Sequence, residues 1–193
     1  LERSPRVTFN TPQLIGSINL KGGRIDDVQL AKHRMELDPK SPPVDVLAPD
    51  GTAHPYYAEF GWSSSDAAQK MPGPYSLWTS DSKTLVPGKP VRLTWDNNQG
   101  LLFGLEIALD EQFMFTVKQT VQNKTDKPIT VFPWGLIVRY GEPKAEGTYV
   151  LHEGPYGVFN GGLKEFGYGD FKDNKQQKLS TTGGWVGITD KYW

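Results

Sequence analysis

There is no cysteine among the 193 residues of this chain. That absence removes disulfides, thiolate metal sites, iron–sulfur clusters and thiol nucleophiles together. It leaves the compartment open, since domains in oxidising compartments also fold without disulfides. Histidine is scarce. His33, His54 and His152 are the only three, and no two share the i, i+4 spacing that chelates a metal on a helix. So poor a ligand set predicts no catalytic metal, and no cofactor is expected. An excess of positive charge is also missing: 21 Lys and Arg face 22 Asp and Glu, a formal net charge of -1. This argues against a nucleic-acid surface built on net positive charge. No apolar run reaches the roughly 18 residues of a membrane-spanning helix. Leu1-Glu2-Arg3-Ser4-Pro5 carries no signal-peptide pattern and is expected to be a tag or linker. The abrupt start, and the end at Trp193, read as a piece of a longer protein.

Catalytic patterns are equally thin. Gly16-Ser17 and Gly61-Trp62-Ser63 lack the second glycine of a nucleophile elbow. Gly22-Gly23 and Gly161-Gly162 lack the Gly-x-x-x-x-Gly-Lys spacing of a phosphate loop and read as turns. His152-Glu153 has the residue types of an acid–base pair, but neighbours on a strand point to opposite faces. Asn123-Lys124-Thr125 matches a glycosylation sequon, and turn chemistry already explains its asparagine. No catalytic residue is assigned.

What the chain does have is turn residues and aromatics. Its 21 Gly and 15 Pro are spread along the sequence, punctuating many short elements as in an all-β protein. Six Trp, eight Tyr and nine Phe exclude a solvated coil. A chain of this length can bury about 70% of its unfolded surface, enough for a core. Period-two alternation marks strands. Val91, Leu93 and Trp95 share one face, as do Leu105, Ile107 and Leu109, and again Phe113, Phe115, Val117 and Val121. Ile129 to Tyr140 is a further β-rich run, so 91 to 140 is expected to form a β-meander. Leu14 to Leu20 predicts a strand, Lys21-Gly22-Gly23-Arg24 a tight turn, and Ile25 to Leu30 the returning strand. Ile25, Val28, Lys32 and Met35 make a poor helical stripe, so strand is preferred there. Pro39 to Pro55 and Ser63 to Pro74 read as loops, and 171 to 179 and 189 to 193 as the late helix candidates. Trp95 and Trp134 are expected in the core, whereas Trp62 and Trp78 flank a polar loop and are candidates to line a cleft, with packing the preferred alternative because most large aromatics mainly pack.

Three stretches carry a family resemblance. Leu14-Ile15-Gly16-Ser17-Ile18-Asn19-Leu20-Lys21-Gly22-Gly23-Arg24-Ile25 resembles the opening of the large periplasmic domain of the YidC membrane insertases, where strand, Gly-Gly turn and strand follow one another. Val117 to Pro128, with Gln122-Asn123 before a Lys-Pro turn, resembles that domain's central hairpin. Gly183-Gly184-Trp185-Val186-Gly187-Ile188-Thr189-Asp190-Lys191-Tyr192-Trp193 resembles the stretch that hands over to the membrane part. The resemblance runs from about Arg6 to Trp193.

The resemblance implies an all-β fold, a β-supersandwich similar to galactose mutarotase-like domains, with a short C-terminal helix. It implies a single domain over 1–193, with 183–193 as the junction toward the membrane core. Gly183, Gly184, Trp185, Tyr192 and Trp193 would then be membrane-junction or packing residues. It implies a place on the periplasmic side of the bacterial inner membrane, within a multi-pass membrane protein. The domain would be a non-catalytic accessory that binds protein partners or shields substrate segments during insertion and folding. The implied partners are the Sec translocon with its SecDF accessory, and nascent membrane proteins through the parent protein. Membrane contact would come only through transmembrane regions outside this chain, and no nucleic acid is involved. The competing expectation is a mutarotase-like carbohydrate-binding domain or aldose epimerase, which needs a His and a carboxylate converging on one cleft.

Overall fold

Alternating strands dominate the computed structural model, which describes residues 4–141, 152–173 and 175–189. The chain divides into two compact units, Leu1–Tyr140 and Gly141–Trp193. The first unit holds β1 (Arg6–Asn10), β2 (Leu14–Asn19), β3 (Arg24–Arg34), β4 (Pro43–Leu47), β5 (Tyr56–Ser64), β6 (Thr79–Ser80), β7 (Val91–Asp96), β8 (Leu101–Leu109), β9 (Phe115–Asn123) and β10 (Val131–Arg139). The second holds β11 (Gly154–Phe159), β12 (Gly162–Glu165), the single helical turn α1 (Asp170–Asp173) and β13 (Gly184–Thr189).

The first unit is a sandwich of two antiparallel sheets. One runs β1-β2-β3-β5-β10 with β4 added on β3, and the other β6-β7-β8-β9. Their facing side chains form one core. Val7, Phe9, Ile18, Ile25, Val28 and Trp62 come from the first sheet, and Val91, Leu93, Leu101, Phe103, Leu105, Ile107 and Leu109 from the second. Burial of these alternating apolar positions is the main force holding the sheets together.

The expected β-meander holds for three strands only. β7, β8 and β9 pair in order, but β10 leaves that sheet and pairs with β5 along its whole length, from Val131 opposite Ser64 to Arg139 opposite Tyr56. The β2–β3 turn is as expected, with both Gly22 and Gly23 at positive φ, where a side chain is disfavoured. Ile25 onward is a strand, not a helix. The 39–55 stretch, read as loop, contains the edge strand β4. Its proline sits at the strand's first residue, the place an edge strand tolerates one.

β3 carries a bulge that decides where its charges go. Ile18 pairs with Ile25 and Ser17 with Asp27, leaving Asp26 as the extra residue. The insertion resets the alternation, so Ile25 and Val28, three apart, both face the core. Gly16 stands beside the bulge because a Cβ there would overlap the Asp27 carbonyl.

The second unit is a three-stranded antiparallel sheet in the order β12-β11-β13. The late helix expected at 171–179 shrinks to the one turn of α1, and Thr189 ends a strand where a terminal helix was expected to begin. Residues 190–193 lie outside the described residues.

Candidate binding cleft

The outer face of the six-stranded sheet is charged where the inner face is apolar. Arg6, Asn19 and Arg24 stand in one cross-strand row on β1, β2 and β3. They share a cleft of about 720 Å³ with Lys21, Asp27, Asp50 and Tyr75. Lys21 and Arg24, which flank the Gly22-Gly23 turn, line one side. Gly22 donates its N–H to the Ser76 carbonyl at 2.8 Å, which holds the 74–76 segment beside the turn.

Two buried carboxylates organise the cleft from below. Asp26, at 1% exposure, accepts a hydrogen bond and ion pair from the Arg6 guanidinium and a hydrogen bond from Asn19 Nδ2 at 3.2 Å. Arg6 Nε also donates to Ser17 Oγ at 2.7 Å, and Ser17 donates to Asp27 at 2.5 Å. Burial pushes the Asp26 carboxyl above its ordinary range, and the charge and hydrogen bonds of Arg6 and Asn19 only partly oppose it. Glu59 on β5 is the second buried carboxylate and accepts from Arg24 Nε at 2.7 Å. The Arg24 guanidinium also lies 4.6 Å from the Tyr57 ring centre and 3.6 Å from Asp50. Burial works against the Arg24 charge, but Glu59, Tyr57 and Asp50 outweigh it and the pKa is raised.

Each buried carboxylate is engaged by a guanidinium. Tyr75, at 80% exposure, lies beside Lys21, whose ammonium sits 5.5 Å from its ring centre. Among the described residues no three His, Cys, Asp or Glu side chains gather as a metal site. His152 and Glu153 precede β11 in the second unit, and the His152 ring nitrogen lies 3.4 Å from the Pro155 carbonyl oxygen. No helix among the described residues is long and apolar enough to cross a membrane.

The structure separates the two readings of Trp62 and Trp78. Trp62 and Trp78 do not line a cleft: at 4% and 2% exposure they lie in the core, stacked with ring centres 6.4 Å apart. Trp62 also packs edge-on against Phe103 at 5.1 Å. The polar loop that suggested a cleft begins where β5 ends, while Trp62 itself is still an inward position of that strand. Trp95, expected in the core, is half-buried and packs against it, with its ring centre 5.8 Å from that of Phe103, whereas Trp134 is half-buried and lies over Gly61. Of the junction residues, Gly183 precedes β13 and Gly184 is its first residue. Trp185 is 48% exposed and meets Tyr156 edge-on at 4.9 Å. Tyr192 and Trp193 lie outside the described residues.

The family model for the YidC periplasmic domain matches residues 6–193. The chain belongs to the YidC periplasmic domain family. It is 50% identical over 203 aligned residues to the membrane protein insertase YidC of Methylobacterium radiotolerans, covering all of this chain and 33% of that protein. It is 47% identical to the membrane protein insertase YidC of Bradyrhizobium diazoefficiens, covering 98% of this chain and 31% of that protein. The corresponding Sinorhizobium fredii protein is 42% identical over 99% of this chain. The chain thus spans about a third of the length of the curated relatives it matches. The three stretches that resembled this family all fall within the matched residues. The charged cleft of Arg6, Asp26, Arg24 and Glu59 was not singled out from sequence. Its one sequence signal is the Asp26-Asp27 pair, which follows Gly22-Gly23-Arg24-Ile25 and sits where alternation breaks.

Proposed function

We propose that this chain is a non-catalytic accessory domain of a YidC-type membrane protein insertase on the periplasmic side of the bacterial inner membrane. It binds protein partners or shields substrate segments while membrane proteins insert and fold. The observation that carries this reading is the family match across residues 6–193, with relatives about three times as long that are named membrane protein insertases. The match spans both compact units, which supports treating 1–193 as one domain. The cleft supports binding over catalysis, because its buried carboxylates are committed to Arg6 and Arg24. Partners on this reading include the Sec translocon and its SecDF accessory, and nascent membrane proteins reached through the parent protein. Gly183, Gly184, Trp185, Tyr192 and Trp193 form the junction toward the membrane core, where aromatic side chains favour the interface.

The test is copurification. The parent protein is tagged and isolated with and without this domain, and the bound Sec components are measured. Loss of those components on deletion supports the reading; unchanged recovery defeats its partner-binding part.

A further inference from the structure

The β3–β4 hairpin ends in a tip whose residues 35–40 are all exposed. Met35 is 60% exposed and Leu37 has no cover at all. The tip is nonetheless ordered by its own hydrogen bonds. Met35 N–H donates to the Pro42 carbonyl at 3.0 Å and Ser41 N–H to the Asp38 carbonyl at 2.9 Å. Lys40 N–H donates to Asp38 Oδ1 at 2.9 Å and Glu36 N–H to Ser41 Oγ at 3.0 Å. Two apolar side chains are therefore presented to solvent on a preorganised turn, so little ordering cost remains for whatever binds them.

The flanks of the tip carry Lys32, Arg34 and Lys40, all exposed, with His33 between the first two. Glu36 and Asp38 oppose them, and one oxygen of the Asp38 carboxylate accepts the Lys40 N–H within the tip. An apolar point with a cationic collar matches a surface that is apolar within and anionic at its face. The geometry points to the β3–β4 tip as a contact for an anionic phospholipid surface. Met35 and Leu37 enter the interface, and Lys32, Arg34 and Lys40 meet the headgroup phosphates. The net charge of the collar is small, so the free domain binds weakly. In a protein held at a membrane the high effective concentration makes weak contact sufficient. The inference rests on the periplasmic-domain family and on the tip's own geometry, not on the partner-binding reading.

The absence of cysteine supplies a clean test. Leu37→Cys, and Thr116→Cys on the exposed face of β9 as a control, are each labelled with an environment-sensitive fluorophore and mixed with vesicles. The vesicles are phosphatidylcholine with or without phosphatidylglycerol. The expected result is a blue shift at position 37 only, with the anionic vesicles only, fading as salt is added. In cosedimentation, Leu37→Asp should lower the vesicle-bound fraction about tenfold while the fold is unchanged, because Leu37 touches no core residue. Equal shifts at 37 and 116, no shift at either, or sedimentation indifferent to Leu37→Asp would each overturn the proposal. None of these outcomes bears on Sec copurification, so the two readings fail separately.

Discussion

Arg6, on the first strand of the six-stranded sheet, reaches across β2 to pair with Asp26, the residue inserted by the β3 bulge. The aspartate is almost wholly buried, and its side chain keeps only 2% of its exposure. The pair ties the edge strand β1 to the strand two places in, beneath the charged cleft.

Removing one partner should cost far more than neutralising the other gently. Arg6→Ala leaves a buried carboxylate without its cation and should destabilise the domain by about 3 kcal/mol. Asp26→Asn keeps an oxygen to accept from Arg6 and should cost about 1 kcal/mol or less. Urea denaturation of both variants checks this. Equal losses would mean that the ion pair is not what holds β1.

The same carboxylate predicts a pH dependence. Burial raises its pKa in the folded state above the unfolded value, so the folded protein holds this proton more tightly. The Asp26 contribution is then greatest at acid pH. It declines as pH rises from the ordinary carboxylate range through the raised folded value, and is level above that. Subtracting the Asp26→Asn stability profile from that of the natural chain isolates this slope. A difference that grows with pH would show the opposite sign and place the Arg6 attraction above the burial cost.

The two sets of tryptophans should behave oppositely. Trp62→Ala removes a ring that packs on Trp78 and Phe103 in the core and should cost about 4 kcal/mol. Trp185→Ala, at a half-exposed position of β13, should cost about 1 kcal/mol or less. Thermal melts of the two variants are sufficient to separate them.

Gly16→Ala places a methyl group against the Asp27 carbonyl oxygen. Either the bulge or the β2 backbone must shift, at a cost of about 2 kcal/mol. Amide hydrogen exchange should report the loss, with protection falling first along β2 and β3. Protection lost uniformly would argue against a local clash.

Much of this fold is legible in the alternation of single strands. β7, β8 and β9 follow the faces read from Val91, Leu105 and Phe115, because one side of each strand is buried and the other is not. The parts that were not legible have physical causes. Ile25 and Val28 imitate helical spacing because a bulge separates them, and a bulge has no residue signature of its own. The destination of β10 is set by which sheet edge is free, which local pattern does not encode. Trp62 was left between cleft and core because it is near a polar loop, and strand parity decides for the core. The cleft was hidden because each arginine is far in the chain from the carboxylate it engages, Arg6 from Asp26 and Arg24 from Glu59, and the partners meet only through sheet register. The family, by contrast, was recognisable from three short stretches.

The pairing of β5 with β10 has a consequence for how the domain is made. Tyr56 and Arg139 become partners only after the whole of the four-stranded sheet has been threaded between them. If the chain is delivered from its N-terminus, β1 to β5 emerge early, and β5 then waits with an open edge. Such a long-range pairing is a slow step, and an unpaired strand is exposed to misassociation while it waits. The arrival of β10 is therefore the event that closes the first unit, and the interval before it is when the nascent domain is most in need of protection.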